Sequence, residues 1–230
     1  FRPGLTYTLM ARGSLGLRTL DEATFDVAGI SLFPVGRTPR MRLSAIGNTR
    51  PAAYLLRVTT QDLKFHAGYV QNLPLPLGNY EDLGAPARTA TLLKRRLVAQ
   101  DLTERSFAPA PALGTSGGTS LLEALMTALR DAERIAALLH ALEGWNERLV
   151  FDAYELDAED VQAVLEETGT PAGWFPLVAG YDRLPEVSDG VELPEGFAEY
   201  FAGLERRALT ADELGKLKDR LRRLYEAGPG

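Results

Sequence analysis

Ser120-Leu121-Leu122-Glu123-Ala124-Leu125, read together with the apolar positions that follow it, decides the fold. Ser120 and Glu123 make a capping-box pattern, in which each side chain satisfies the other residue's backbone N–H at a helix start. Leu122, Leu125, Leu129, Ile135, Leu139, Leu142 and Leu149 then recur at helical spacing, so the pattern predicts one long helix. Outward from it, Asp157 opens a shorter helix that ends near Gly169, and Glu195 to Arg207 reads as another. Thr210 with Glu213 is a second capping box, ahead of Leu214, Leu217, Leu221 and Leu224. Between these helices, Thr170 to Leu193 carries six Pro or Gly positions and reads as irregular.

Toward the N-terminus the period changes. Leu5-Thr6-Tyr7-Thr8-Leu9 alternates apolar and polar, as a half-buried strand does. Leu15 to Arg18 and Phe25 to Val27 repeat the alternation less regularly, with turns at Arg12-Gly13-Ser14 and Leu20-Asp21-Glu22. Ile30 to Phe33 reads as a strand closed by Pro34, followed by a basic loop from Gly36 to Arg42. Pro51 to Gln61 reads as a short helix with proline in its opening turn. Lys64 to Val70 reads as a strand that ends at Leu73-Pro74-Leu75-Pro76, where prolines cannot continue a sheet interior. Ala90, Leu93 and Leu97 share one face of a further helix, with Arg88 and Arg95 on the other. The expected fold is therefore α+β. A β-rich unit over residues 1–107 is joined by an Ala-, Pro-, Gly- and Ser-rich linker at 108–118 to a mainly helical unit over 119–230.

Charge divides along nearly the same line. Residues 1–100 hold 13 Lys/Arg against 6 Asp/Glu, whereas residues 101–230 hold 12 against 25, which together make the net −6 of the 230-residue chain. A basic front joined to an acidic helical rear points to a front that meets something anionic and a rear that acts as scaffold. Eleven of the 13 front cations are arginine, whose planar fork suits phosphates and guanine edges. A solvated arginine-rich surface is the competing reading, since the rear also prefers arginine.

Several chemistries lack their residues. With no cysteine, disulfides and thiolate metal sites are excluded. No apolar run approaches the roughly 18 residues of a membrane span, and there is no signal-peptide pattern, so the expected location is the cytoplasm. Thr115 to Ser120 resembles a phosphate loop in composition only, because it lacks the lysine that would reach the phosphates. His66 and His140 stand apart without metal-ligand spacing. Asp152, Glu155, Asp157, Glu159 and Asp160 lack the spacing and central glycine of a calcium loop and fit helix-start carboxylates instead. Trp145, Phe151 and Tyr154 read as core. The chain opens on Phe1 and closes on Gly-Pro-Gly, as expected of a piece of a longer protein.

Three stretches carry a family resemblance. Phe1-Arg2-Pro3-Gly4-Leu5-Thr6-Tyr7 resembles a Phe-Arg/Lys-Pro-Gly-Leu/Ile-Thr-Trp/Tyr entry motif. Gly68-Tyr69-Val70-Gln71-Asn72-Leu73-Pro74-Leu75-Pro76 is similar to a strand end closed by Leu/Thr-Pro-Val/Leu-Pro, followed by a helix carrying Leu92-Leu93-Lys94-Arg95. Arg148 to Asp160 resembles a Leu-Val-Phe/Tyr-x-Leu-Tyr-Gly-Leu element, with Glu155 standing where glycine is usual. In this order they resemble the target-recognition region of adenine-specific DNA methyltransferases of the bacteriophage-exclusion (BREX, PglX-type) systems and of related single-chain restriction-modification enzymes. The resemblance covers roughly residues 1–169.

The resemblance implies sequence-specific recognition of duplex DNA by a non-catalytic region. Its parent enzyme would use S-adenosylmethionine in an upstream methyltransferase domain, and whether the parent also cuts DNA is left open. No Asn-Pro-Pro-Tyr or Asp-Pro-Pro-Tyr and no Gly-rich cofactor strand occurs here, so no cofactor and no catalytic residue are assigned to this chain. The candidate DNA-contacting residues are Arg2, Arg12, Arg18, Arg37, Arg40, Arg42, Lys64, Arg88, Lys94 and Arg95 for phosphates and guanine edges, with Tyr7, Asn48, His66, Gln71 and Asn72 for other base edges. The alternative is a protein-interaction scaffold that uses the long Leu-periodic helix.

Overall fold

The structure, a computed structural model, describes residues 2–10, 14–21, 28–35, 39–60, 64–77, 83–110, 113, 120–169, 173, 181, 183–186, 190–204, 210–212, 214–215 and 218–219. The fold is α+β, with a small antiparallel sheet and a larger set of helices. Strands β1 (Gly4–Thr8), β2 (Arg18–Leu20) and β3 (Gly29–Leu32) lie in the order β2-β1-β3. β1 is the centre: Leu5 pairs with Thr19 on one side and with Leu32 on the other. Its alternation decides its faces. Leu5 and Tyr7 are fully buried while Thr8 is exposed, and the buried pair packs with Leu15, Leu17, Leu56, Phe65 and Val70.

Gly4 begins β1 because nothing larger fits. A Cβ there would lie 2.7 Å from the Leu32 carbonyl oxygen and 2.9 Å from the Phe33 ring. The glycine of the entry motif therefore has a steric reason in this chain.

The helices are α1 (Arg40–Gly47), α2 (Arg50–Thr59), α3 (Ala67–Gln71), α4 (Gly84–Val98), α5 (Leu121–Ala153), α6 (Ala158–Thr168) and α7 (Phe197–Ala202). The long helix is α5, and its capping box forms: Glu123 N–H donates to Ser120 Oγ at 3.3 Å, and Ser120 N–H donates to Glu123 Oε2 at 2.9 Å. α6 starts at Asp157, whose Oδ1 accepts from the N–H groups of Glu159 and Asp160. Both starts follow from side chains that satisfy the otherwise orphaned first N–H groups.

Three expectations are corrected. Arg40, Met41 and Arg42 lie in α1, not in a loop. Four consecutive residues of α1, Ser44 to Gly47, are buried, so no single apolar stripe announces this helix. Lys64 to Val70 is not a strand. Lys64 makes one bridge to Met10, Phe65 N–H donates to Leu9 O at 2.8 Å, and the chain then turns into α3. Its buried residues, Phe65 and Val70, are five apart and break the period of two. The strand near Leu15 forms at Arg18–Leu20, through the expected turn start at Leu20. The expected strand at Phe25 to Val27 and the Gly36 to Thr38 part of the expected basic loop lie outside the described residues, as does Glu213 of the second capping box. α7 is shorter than the helix expected from Glu195 to Arg207.

The expected front and rear units share cores. Leu93 of α4 packs with Leu138, Leu139 and Leu142 of α5 and with Phe197 and Phe201 of α7. Ala45, Ile46 and Leu83 pack with Val150 and Ala153 at the other end of α5. Trp145 lies half-buried beside Phe197, ring centroids 5.6 Å apart. The linker region at 108–118 thus marks a change in sequence character, while packing runs across it.

Candidate nucleic-acid interface

Asp21, just after β2, draws two arginines together from different elements. Arg40 at the start of α1 donates to one carboxylate oxygen, and Arg95 on α4 donates to the other. Arg95 also donates to Thr19 Oγ1 at 3.0 Å, which ties α4 to β2. The Arg40 guanidinium, followed by that of Arg95, holds the Asp21 carboxyl below the ordinary carboxylate range. Arg18, next to this pair on β2, is exposed and donates to Thr8 Oγ1 at 2.9 Å. Four cations therefore stand around the β2–α4 seam: Arg18, Arg40, Arg95 and exposed Lys94. Arg88 is exposed further back along α4.

Beside this seam lies a groove of about 690 Å³ between β2, the α1–α2 corner, α4 and α5. Arg18, Arg50, Arg57, Lys94 and Arg95 line it against a single lining carboxylate among the described residues, Glu143. Arg50 and Arg57 lie outside the sequence-derived candidate list. They are seven apart and share a face of α2, which is the signal that marks them. Arg57 donates to the Glu167 carbonyl in the last turn of α6, a position where the helix dipole favours a cation. Arg50 is held by Glu147 of α5, whose Oε2 accepts from the Arg50 N–H at 3.0 Å and from Nη1 at 3.1 Å.

The remaining candidates divide sharply. Tyr7 is a core residue: it is fully buried, burial pushes its phenol up, and its hydroxyl has no partner among the described residues. It does not face a ligand, because the apolar alternation that makes β1 a strand turns Tyr7 inward. Asn48 spends its amide on structure. Its Oδ1 accepts from Leu17 N–H at 2.6 Å, and its Nδ2 donates to Leu17 O at 3.0 Å. Arg2 donates to Pro34 O at 2.7 Å and braces the chain ahead of β1. Arg42 and Lys64 are half-buried, on α1 and at the Met10 bridge. His66, Gln71 and Asn72 are exposed around α3, the His66 ring 6.2 Å from that of Tyr69. Arg12 and Arg37 lie outside the described residues. The structure thus brings Arg18, Arg40, Lys94 and Arg95 together and leaves His66, Gln71 and Asn72 on a separate helix.

Two further surfaces stand out. Leu121, Leu122, Leu125, Met126 and Leu129, on the first turns of α5, are exposed, Leu121 at 79% and Leu122 at 68%. The stripe that continues as buried core from Ile135 onward begins uncovered. At the far end of α5, Glu155 takes φ 56°, in the left-handed region. Glu155 N–H donates to Asp152 O at 3.0 Å and Leu156 N–H to Phe151 O at 3.2 Å, the two bonds of a Schellman helix end. The position usually holds glycine in the resembled element, and here the turn that suits glycine forms with glutamate in it.

Among the described residues, no group of three or more His, Asp or Glu side chains could hold a metal ion, and no helix is long and apolar enough to cross a membrane. No protein-family model, no curated protein and no solved structure matches the chain.

Proposed function

We propose that this chain recognises duplex DNA, as the target-recognition region of an adenine-specific DNA methyltransferase acting in the cytoplasm. The observation that carries the reading is the gathering of Arg18, Arg40, Lys94 and Arg95 at the β2–α4 seam. Cations fixed on strand and helix scaffolds suit backbone phosphates, which set the register of a protein on DNA. Support also comes from the two motif positions whose geometry has a local reason, Gly4 and the left-handed position 155. Methyl transfer from S-adenosylmethionine would occur in the upstream domain that the resemblance implies, and the chain itself would contribute no catalytic group.

The test is binding of specific and scrambled duplexes by the wild type and by Arg95→Ala in the full parent protein. Loss of one phosphate contact should weaken binding to both duplexes alike and lower the salt slope by about one unit. An unchanged Arg95→Ala affinity, together with no sequence preference in the wild type, would remove the reading.

A second reading is favoured by the exposed leucine stripe of α5. In it the chain is an interaction scaffold whose partner covers Leu121 to Leu129. A contact of that kind would be nearly insensitive to salt, unlike DNA binding.

A further inference from the structure

Helix α2 presents two different faces. Arg50, Ala53 and Arg57 line the groove beside the β2–α4 seam. Pro51, Tyr54 and Leu55, spaced i, i+3, i+4, line a separate pocket of about 420 Å³. Its other walls are Pro74 to Leu77, the Tyr154-Glu155-Leu156 turn after α5, and Ala163 with Val164 on α6. The Tyr154 hydroxyl donates to Pro74 O at 2.6 Å and so holds the proline segment against the end of α5. The DNA reading makes no use of this pocket.

Its walls are mostly apolar, and its charge is all of one sign. Glu155 and Asp160 line it, both exposed, and no Lys or Arg does so among the described residues. Neither carboxylate makes an ion pair or a side-chain hydrogen bond among the described residues. The sequence keeps cations away from these walls: no Lys or Arg occurs from residue 65 to 87 or from 149 to 182. Glu155 brings its charge to a left-handed position, φ 56°, that glycine would hold without strain. Backbone strain of this kind gathers at ligand sites. Apolar surface also continues past the pocket. Leu77 is 90% exposed, and Val58, one turn on from Tyr54 along α2, is exposed as well.

We propose that this pocket anchors a basic, apolar segment of a protein partner. One bulky apolar side chain enters against Tyr54 and the proline segment. Lys or Arg beside it in the partner's sequence meets Glu155 and Asp160. A volume of about 420 Å³ lies at the small end of the roughly 300–1,000 Å³ that ligand sites occupy, which suits one anchoring side chain. Exposed Leu77 and Val58 suit a partner chain that runs on past the anchor, and a small amine would leave them uncovered. An apolar anchor ringed by polar groups is also how interface hot spots are built. Unpaired carboxylates repel phosphates, so this face and the arginine seam take different partners.

The experiment is an NMR titration of the full 230-residue chain with four probes: the blocked peptides Lys-Trp-Lys, Glu-Trp-Glu and Lys-Ala-Lys, and tryptamine. Lys-Trp-Lys should bind about ten-fold tighter than each of the others. Glu155→Gly and Asp160→Asn should each weaken it about three- to five-fold, as partly exposed charge pairs do. Glu155→Gly removes the charge at a position that suits glycine, so lost binding there is not lost folding. Ala163→Phe, at an exposed site on the wall, fills the pocket and should abolish binding. Glu104→Gln, exposed and outside the pocket, should leave it unchanged. Glu-Trp-Glu bound as tightly would overturn the role of the carboxylates, and Lys-Ala-Lys bound as tightly would overturn the anchor. Tryptamine bound as tightly as the peptide would make this a small-amine site and overturn the protein partner. Absence of any binding would overturn the site altogether. The peptide result stands whether or not the parent binds duplex. Where duplex is bound, its affinity should be the same in Ala163→Phe, and a loss of both together would overturn the separation of the two faces.

Discussion

Glu147, 3% exposed on α5, closes the N-terminus of α2 by accepting from both the backbone N–H and the guanidinium of Arg50. One buried carboxylate thereby joins two elements that sequence places 97 residues apart. It does the work of a helix cap, because Thr49 makes no side-chain cap bond.

Replacing Glu147 by alanine strands the Arg50 guanidinium and uncaps α2. The expected cost is about 3–5 kcal/mol, the range for breaking a buried pair from one side. Glu147→Gln keeps an acceptor and should cost less, roughly 1–3 kcal/mol. Urea unfolding of the two variants checks the order, and equal losses would mean that the charge contributes nothing.

Glu155→Gly should raise stability by roughly 0.5–1 kcal/mol, because glycine relieves a left-handed backbone at the cost of some unfolded-state entropy. A thermal melt reads it as a higher Tm. A lower Tm would show that the glutamate side chain stabilises the turn by more than its backbone strain costs.

Much of the fold is legible in the chain because local signals and burial agree there. Leu5 to Thr8 alternates and pairs as the centre strand, and Ser120 with Glu123 caps the long helix. The misreadings fall where tertiary packing overrides local pattern. α1 hides because Ser44 to Gly47 are buried all together, and the Lys64 to Val70 stretch reads as a strand yet turns into a helix after a single bridge. The candidate site was partly legible, for a related reason. Charge composition points to the front, but it cannot distinguish Arg95, held by Asp21 at a seam, from Arg2, which braces its own strand. Tyr7 and Asn48 suit base reading by residue type, but the burial of Tyr7 and the bonding of Asn48 to Leu17 are long-range facts. Arg50 and Arg57 share a face of α2 in the sequence, but only the packing of four elements shows that this face lines a groove.

Burial pushes the phenols of Tyr154 and Tyr200 up to about 12, from an ordinary value near 10. Because the unfolded chain loses these protons first, their contribution is whole below about pH 10 and is lost as pH rises from 10 toward 12. Stability should therefore fall steeply across that window. Tyr154→Phe loses the 2.6 Å bond to Pro74 O, at about 1 kcal/mol near neutrality, and should flatten the alkaline fall. An alkaline fall of wild-type steepness in Tyr154→Phe would contradict this.

Asp21 carries the opposite sign. Its folded value is depressed, so its contribution is present above the ordinary carboxylate value and is lost as pH falls through the lowered one. Being partly exposed, the pairs stabilise by under about 1 kcal/mol. Asp21→Asn should cost little stability, flatten the acid limb and release Arg40 and Arg95. Duplex binding should then tighten and gain roughly one unit of salt slope. Weaker binding in Asp21→Asn would mean that the carboxylate positions the arginines for DNA rather than competing with it.

The central claim is that the basic seam meets DNA phosphates, and the most direct measurement is duplex affinity of the chain across a range of salt concentrations. The account predicts a linear fall of log K with log salt, at about −0.9 per phosphate neutralised. The slope should correspond to several contacts and become shallower in Arg18→Ala and Arg95→Ala. A slope near zero, or no duplex binding at low salt, would contradict it and move the leucine-faced scaffold reading ahead.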